Sequence, residues 1–253
     1  MVTPTLRAAV LDLAREAGRA TMTFYDDATP ADVRHKEDHS PVTLADEAAH
    51  EILVAGLGRL DPDTPVVSEE AAAASYDVRR AWRRFWLVDP LDGTKEFIKR
   101  RAEFTVNVAL VEDGEPVFGV VLAPALDLLY WAVKGAGAWR EAKSEPAERI
   151  YSTAQAPGTP LTVVESLSHP SPELEQYLLT IPVAQRVKAG SSLKFCWVAE
   201  GRADIYPRLG PTMEWDVAAG DCVYRQSGRD RERPSPLTYN KPDLRNASFV
   251  IGL

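Results

Sequence analysis

Apolar positions recur at helical spacing from the start of the chain. Leu6, Val10, Leu13, Ala14, Ala17 and Met22 fall on one face of a helix predicted over residues 4–25. Asp26 to Lys36 reads as a polar connection with a short extended piece around Val33. A second helix is expected over roughly 46–60, ending before Asp61-Pro62-Asp63. Val66-Val67 and the apolar run Phe85 to Val88 read as buried strands. Residues 104–112 and 116–123 alternate, are rich in β-branched side chains and flank Glu112-Asp113-Gly114-Glu115, which is a hairpin signature. Leu128 to Val133 and Gly137 to Arg140 predict two more strands.

The polar stretch 141–160, with three prolines, is the expected boundary between two halves, 1–155 and 156–253. Beyond it, Leu161 to Val164, Val183 to Val187, Asp204-Ile205-Tyr206 and Ser248 to Ile251 read as strands. Helices are expected after Ser171-Pro172, where an early Pro does no harm, after Gly190-Ser191-Ser192 to about Glu200, and from Glu214-Trp215-Asp216. Strands and helices mix without a strict βαβ rhythm. The expected fold is therefore an α+β layered sandwich of mixed sheets and helices.

Several apolar runs end in acids. The run through Val88 meets Asp89-Pro90-Leu91-Asp92-Gly93-Thr94, where Pro90 and Gly93 predict the strand's sharp end. Val66-Val67-Ser68 runs into Glu69-Glu70, and Asp46 and Asp216 stand at expected helix starts. Each has a plain alternative. Asp89 would cap a helix starting near Gly93, Thr43 and Asp46 would cap the second helix, and Glu69-Glu70 would be a solvated loop. Together, however, four or five of the candidates Asp46, Glu69, Glu70, Asp89, Asp92 and Asp216 would share one crevice if the sheet aligned their strand ends. Such crowding costs several kcal/mol unless divalent cations neutralise it. No His and Cys cluster has zinc spacing, so Mg²⁺ or Mn²⁺ suits these oxygens better than Zn²⁺.

Composition narrows the partners. A net charge of −8 over 253 residues argues against a nucleic-acid polymer. Cys196 and Cys222 lie outside any CxxC pattern and read as buried small hydrophobes of a reducing compartment. With no signal-peptide pattern and no apolar run near the ~18 residues of a membrane span, a cytoplasmic protein is expected. Peripheral association with the inner membrane stays open.

Asp46, Glu69-Glu70, Asp89-Pro90-Leu91-Asp92-Gly93-Thr94 and Trp215-Asp216-Val217-Ala218-Ala219 resemble the set shared by the inositol monophosphatase superfamily. Within it, Asp92-Gly93-Thr94-Lys95-Glu96-Phe97-Ile98 and Gly190-Ser191-Ser192-Leu193-Lys194-Phe195 resemble the 3′(2′),5′-bisphosphate nucleotidases of CysQ type. The resemblance runs from the first helix to about residue 222. It implies the inositol monophosphatase (sugar phosphatase) fold and a lithium-sensitive, Mg²⁺-dependent hydrolase. The implied reaction converts adenosine 3′,5′-bisphosphate into AMP and phosphate, linked to sulfate assimilation, with 3′-phosphoadenylyl sulfate as a related substrate.

Residue by residue, the resemblance implies that Glu69, Asp89 and the Leu91 carbonyl bind one Mg²⁺ and that Asp89, Asp92 and Asp216 bind a second. A weaker third ion is expected near Glu69, with Mn²⁺ as a substitute metal and Glu70 supporting from behind. Asp46 and Thr94 become the pair that takes a proton from the attacking water. Substrate would meet Glu69, Leu91, Asp92, Gly93, Thr94, His169, Gly190, Ser191, Lys194 and Asp216. Gly190 to Ser192 would offer donors and Lys194 a charge for the 5′-phosphate, with Tyr206 and Arg208 near the same pocket. The stretch after Cys222 would frame the base pocket, but Tyr224 to Gly228 and the charged Arg229 to Arg233 depart from the usual pattern. Nucleobase preference is therefore open, as is the choice between monomer and homodimer. The rivals are an inositol or sugar monophosphatase, and a non-catalytic nucleotide or Mg²⁺ sensor.

Overall fold

The first helix, α1 (Pro4–Tyr25), spans the expected residues. A short antiparallel pair, β1 (Val33–His35) and β2 (Pro41–Thr43), leads into α2 (Leu44–Leu60). β3 (Val66–Ser68), the one-turn α3 (Tyr76–Arg79), β4 (Arg84–Asp92) and α4 (Thr94–Ile98) follow. Then come β5 (Thr105–Glu112), β6 (Glu115–Ala123), β7 (Leu128–Val133), β8 (Gly137–Ala142) and β9 (Glu148–Ile150). The second half holds β10 (Leu161–Ser166), α5 (Pro172–Leu178), β11 (Val183–Ala189), α6 (Leu193–Ala199), β12 (Tyr206–Arg208) and β13 (Thr212–Met213). α7 (Glu214–Arg225), β14 (Arg245–Asn246) and β15 (Phe249–Ile251) close the chain. This computed structural model describes residues 2–25, 33–35, 41–142, 145–168 and 171–252.

Strands β3 to β9 form one seven-stranded sheet in sequence order, antiparallel except for the parallel pair β3–β4. Alternation along β4 builds both of its faces. Trp86 and Val88 join α1 and α2 in one core, while Phe85 and Leu87 face the core shared with α6 and α7. Gly119 lets α7 lie close on the sheet, since a Cβ there would sit 2.5 Å from the Ala219 carbonyl oxygen. On the far side of α6, β10 and β11 pair in parallel, a bridge from Val163 to Ile205 links them toward β12 and β15, and α5 covers the outside. The order is helix pair, large sheet, helix pair, small sheet, helix. It is the layered sandwich expected from the sequence.

Three expectations change. β4 does not stop at Pro90; pairing with β5 resumes at Asp92 with Thr105 after a register shift, so the acids sit on a bulged strand end. The polar stretch after residue 141 contributes β9, which pairs with β8 and completes the large sheet. The short strand expected at Asp204 begins at Tyr206. Cys196 and Cys222 are buried and unpaired, as expected. No helix among the described residues is long and apolar enough to cross a membrane.

Candidate active site

β3 and β4 run side by side, with Ser68 opposite Val88, and the Glu69 N–H bonds the Val88 carbonyl at 3.1 Å. The next residue of each strand, Glu69 and Asp89, therefore emerges at the same edge. The α7 N-terminus brings Asp216 to this point. Carboxylate oxygens of Glu69, Asp89 and Asp216 lie within 4.8 Å of one another. Asp92 lines the same cleft outside this triple, on the side facing Lys194. Glu70 is not part of the triple; its charge acts on Asp46.

Burial first, then the charges of Glu69, Asp92 and Asp216, pushes the Asp89 carboxyl well above the carboxylate range. Burial and the neighbouring Asp92 and Glu69 do the same to Asp216. Asp92 is pushed up by burial to about 6, with Lys194 pulling it back. Acids crowded in this way lack positive charge. Below them, the Asn107 amide donates to Ser192 Oγ at 3.1 Å and to Asp92 at 3.5 Å, while its own buried Oδ1 has no hydrogen-bond partner. Hard oxygens, mutual repulsion and an orphaned buried oxygen all fit a small divalent cation such as Mg²⁺.

Asp46 and Asp216 share a construction. Each is the third residue of its helix, and each spends one oxygen on the residue just before that helix. Asp46 Oδ2 accepts the Thr43 N–H at 2.8 Å and the Thr43 hydroxyl at 2.6 Å, and Asp216 Oδ2 accepts the Met213 N–H at 2.8 Å. Capping and chemistry are thus compatible roles. Asp46 Oδ1 stays free to face Thr94, whose hydroxyl lies 3.5 Å from it and 3.4 Å from the Leu91 carbonyl. Burial pushes the Asp46 carboxyl up to about 7, against the pull of the Thr43 bonds and with a push from Glu70 and Glu69.

Thr94 opens α4 directly after Gly93, whose φ of 93° few other residues would accept. A helix thus does begin near Gly93, but Asp89 does not cap it; Asp89 Oδ1 accepts the Leu91 N–H at 3.1 Å. Phe97, Phe104, Leu91 and Ala45 pack beneath the turn and fix it.

Across the cleft stands the loop before α6. Gly190 abuts the Glu103 carbonyl so closely that a Cβ would lie 2.2 Å from it. The Ser191 hydroxyl donates to that same carbonyl at 3.2 Å, and Ser192 Oγ donates to the Asp216 carbonyl at 2.7 Å. Both hydroxyl protons therefore hold the walls together. Lys194 supplies the positive charge. It is buried, its Nζ donates to the Ser191 carbonyl at 2.5 Å and lies 5.5 Å from the Tyr206 ring, and burial lowers its pKa to about 8. Tyr206 and Arg208 line the cleft, which encloses about 290 Å³. His169 lies outside the described residues. No described residue beyond Val217 lines the cleft; Gly228 to Pro234 line other cavities, beyond the far end of α7, while further on Asn246 backs the cleft by donating to Thr212 Oγ at 3.1 Å.

Three supporting contacts were not read from the sequence. His50 Nδ1 meets Ser68 Oγ at 2.8 Å, tying α2 to the residue before Glu69. Glu96 accepts the Ser168 hydroxyl and so pins the end of β10 to α4. Asn107 links Asp92 to Ser192. Only His50 left a signal: it stands four residues after Asp46, on the same face of α2.

A model of the inositol monophosphatase family matches residues 3–246. The chain belongs to that family. A relative from Salmonella typhimurium, named 3′(2′),5′-bisphosphate nucleotidase CysQ, is 52% identical over 219 residues, covering 87% of each chain. One of the same name from Escherichia coli is 51% identical over 247 residues, covering 96% of this chain and 98% of its own. The crystal structure of CysQ from Bacteroides thetaiotaomicron superposes with a TM-score of 0.78 at 40% identity, over 96% of this chain and 95% of that one.

Proposed function

We propose that this chain is a Mg²⁺-dependent phosphatase that hydrolyses the 3′-phosphate of adenosine 3′,5′-bisphosphate, giving AMP and phosphate. 3′-Phosphoadenylyl sulfate is a related substrate. One observation carries the proposal: a single cleft is lined by Glu69, Asp89, Asp92 and Asp216 and, beside Asp92, by the buried cation Lys194. Two phosphates of one small molecule can meet the acids with their cations and Lys194 at once. An inositol monophosphate has no second phosphate for Lys194. The CysQ names of the relatives point the same way.

Glu69, Asp89 and the Leu91 carbonyl would hold one Mg²⁺, and Asp89, Asp92 and Asp216 a second, with a weaker third near Glu69 and Mn²⁺ able to substitute. Bound Mg²⁺ would acidify a water in the cleft and neutralise charge on the transferring phosphoryl group. Thr94 Oγ receives a proton from the attacking water as its own proton passes to Asp46 Oδ1. Burial raises the Asp46 carboxyl, to about 7 in metal-free protein, which makes it a stronger proton acceptor than an ordinary carboxylate. Asp46 remains anchored through Oδ2 to Thr43 while it accepts that proton. Lys194 holds the 5′-phosphate, and Asn107 and Ser192 keep Asp92 and the α7 start in register with it.

The test is phosphate release from adenosine 3′,5′-bisphosphate and from inositol 1-phosphate, with Mg²⁺, with EDTA, and with added Li⁺. The proposal expects Mg²⁺-dependent, Li⁺-inhibited release with a strong preference for the nucleotide. Preference for inositol phosphate would overturn the substrate assignment, and binding without release from either would make the chain a sensor.

A further inference from the structure

Beyond the far end of α7 lies a second cavity, of about 220 Å³, separate from the acidic cleft. Gln226 follows the last residue of α7, ten residues after Asp216, which is roughly 15 Å at 1.5 Å per residue. The cavity is small beside the roughly 300–1,000 Å³ of pockets for drug-sized ligands.

Its wall is cationic. Arg149, Arg229 and Arg231 line it, and none of the three pairs with a carboxylate among the described residues. Two of them are held in place by Tyr151, with the Arg149 and Arg229 guanidinium carbons 5.4 and 4.5 Å from its ring centre. Gly137 leaves the room that Arg149 takes: a Cβ there would lie 2.7 Å from Arg149 Nε. Asp230 and Glu232 alternate with the arginines and also line the cavity, so the charge stays positive by a small margin.

The floor adds a donor. Gln226 is only 6% exposed. Its Oε1 accepts the Gly135 N–H at 2.9 Å, which turns the amide nitrogen the other way. That buried Nε2 has no hydrogen-bond partner. A buried N–H₂ without an acceptor costs free energy, and an oxyanion drawn to the arginines would supply one as the Gln226 side chain turns to meet it.

We propose that this cavity is a binding site for a small tetrahedral oxyanion, sulfate or phosphate, held by Arg149, Arg229, Arg231 and Gln226 Nε2. The site is independent of the phosphatase assignment.

Calorimetric titration of sulfate, and separately of phosphate, into Mg²⁺-free protein tests it. Lys194→Gln removes the cation of the cleft. Gln226→Glu keeps the acceptor for Gly135 but replaces the free donor with an anion, and Arg229→Gln with Arg231→Gln alters only exposed side chains. The site predicts anion binding that survives Lys194→Gln and weakens at least tenfold in both cavity variants, with turnover unchanged within twofold. The two titrations decide which anion it prefers. Absence of binding by either anion, or binding that Lys194→Gln removes and the cavity variants leave intact, would overturn the site.

Discussion

Replacing Thr94 by Ala separates catalysis from architecture. The Thr94 hydroxyl lies 3.5 Å from Asp46 and 3.4 Å from the Leu91 carbonyl, both at the long limit of a hydrogen bond. Such contacts contribute well under the ~1 kcal/mol of a good hydrogen bond. Thr94 is half-buried, so little packing is lost. Folding stability should therefore fall by less than about 1 kcal/mol. Proton transfer through a positioned group contributes about 10²–10⁴-fold, or roughly 2.7–5.5 kcal/mol of barrier at 1.36 kcal/mol per decade. The variant should lose kcat by that factor, keep KM within about threefold, and keep its Mg²⁺ half-saturation. Thr94→Ser should recover most of the rate. Steady-state phosphate release, with thermal unfolding on the same samples, reads all of these. A kcat within tenfold of wild type, or a loss of rate matched by a loss of Mg²⁺ affinity, would refute the proton relay.

Further outcomes follow from the same geometry at four other residues. Asp89→Asn removes one of the repelling buried charges, so thermal scans should show equal or higher stability than wild type in EDTA but none of the gain that Mg²⁺ gives wild type; a retained Mg²⁺ gain would contradict the metal site. Because Asp46 must be ionised to accept a proton, kcat should rise with pH on a limb at or below about 7, bound cations moving it downward. Its raised carboxyl also adds folding stability that is fully present below about pH 4 and lost as pH rises through about 7 in metal-free protein, which denaturation at several pH values checks against Asp46→Asn. Gly190→Ala drives a Cβ into the Glu103 carbonyl, so urea unfolding should show a loss of about 1–3 kcal/mol and kinetics a raised KM, since that loop leads into α6, which carries Lys194. His50→Ala should raise the Mg²⁺ half-saturation several-fold with little change in kcat at saturating metal, and an unchanged Mg²⁺ requirement would show that the bond to Ser68 does not position Glu69.

Local pattern carried most of the fold into view. α1, the β5–β6 hairpin and α7 lie where periodicity and turn residues put them, because each is decided by its own neighbours in the chain. β9 escaped because Glu148 and Arg149 are charged and exposed and Ile150 alone is apolar and buried, too little for a local pattern, and only pairing with β8 makes them a strand. The acids at strand and helix ends were legible, and so was their convergence once the resemblance was in hand. Whether Asp46 caps a helix or faces the cleft could not be decided from one dimension; in space one oxygen caps α2 and the other faces Thr94. The contacts of Ser168 with Glu96 and of Asn107 with Ser192 cross 72 and 85 residues, and local pattern holds no trace of such pairs. The basic tail, expected beside the substrate, lines a different cavity because α7 carries it away from the cleft.

The most direct measurement is the identity of the nucleotide product when adenosine 3′,5′-bisphosphate is turned over with Mg²⁺, read by phosphorus NMR. The proposed placement, with the carboxylates around the 3′-phosphate and Lys194 on the 5′-phosphate, predicts AMP bearing a free 3′-hydroxyl as the product. Adenosine 3′-monophosphate as the product, or no turnover at all, would contradict that placement.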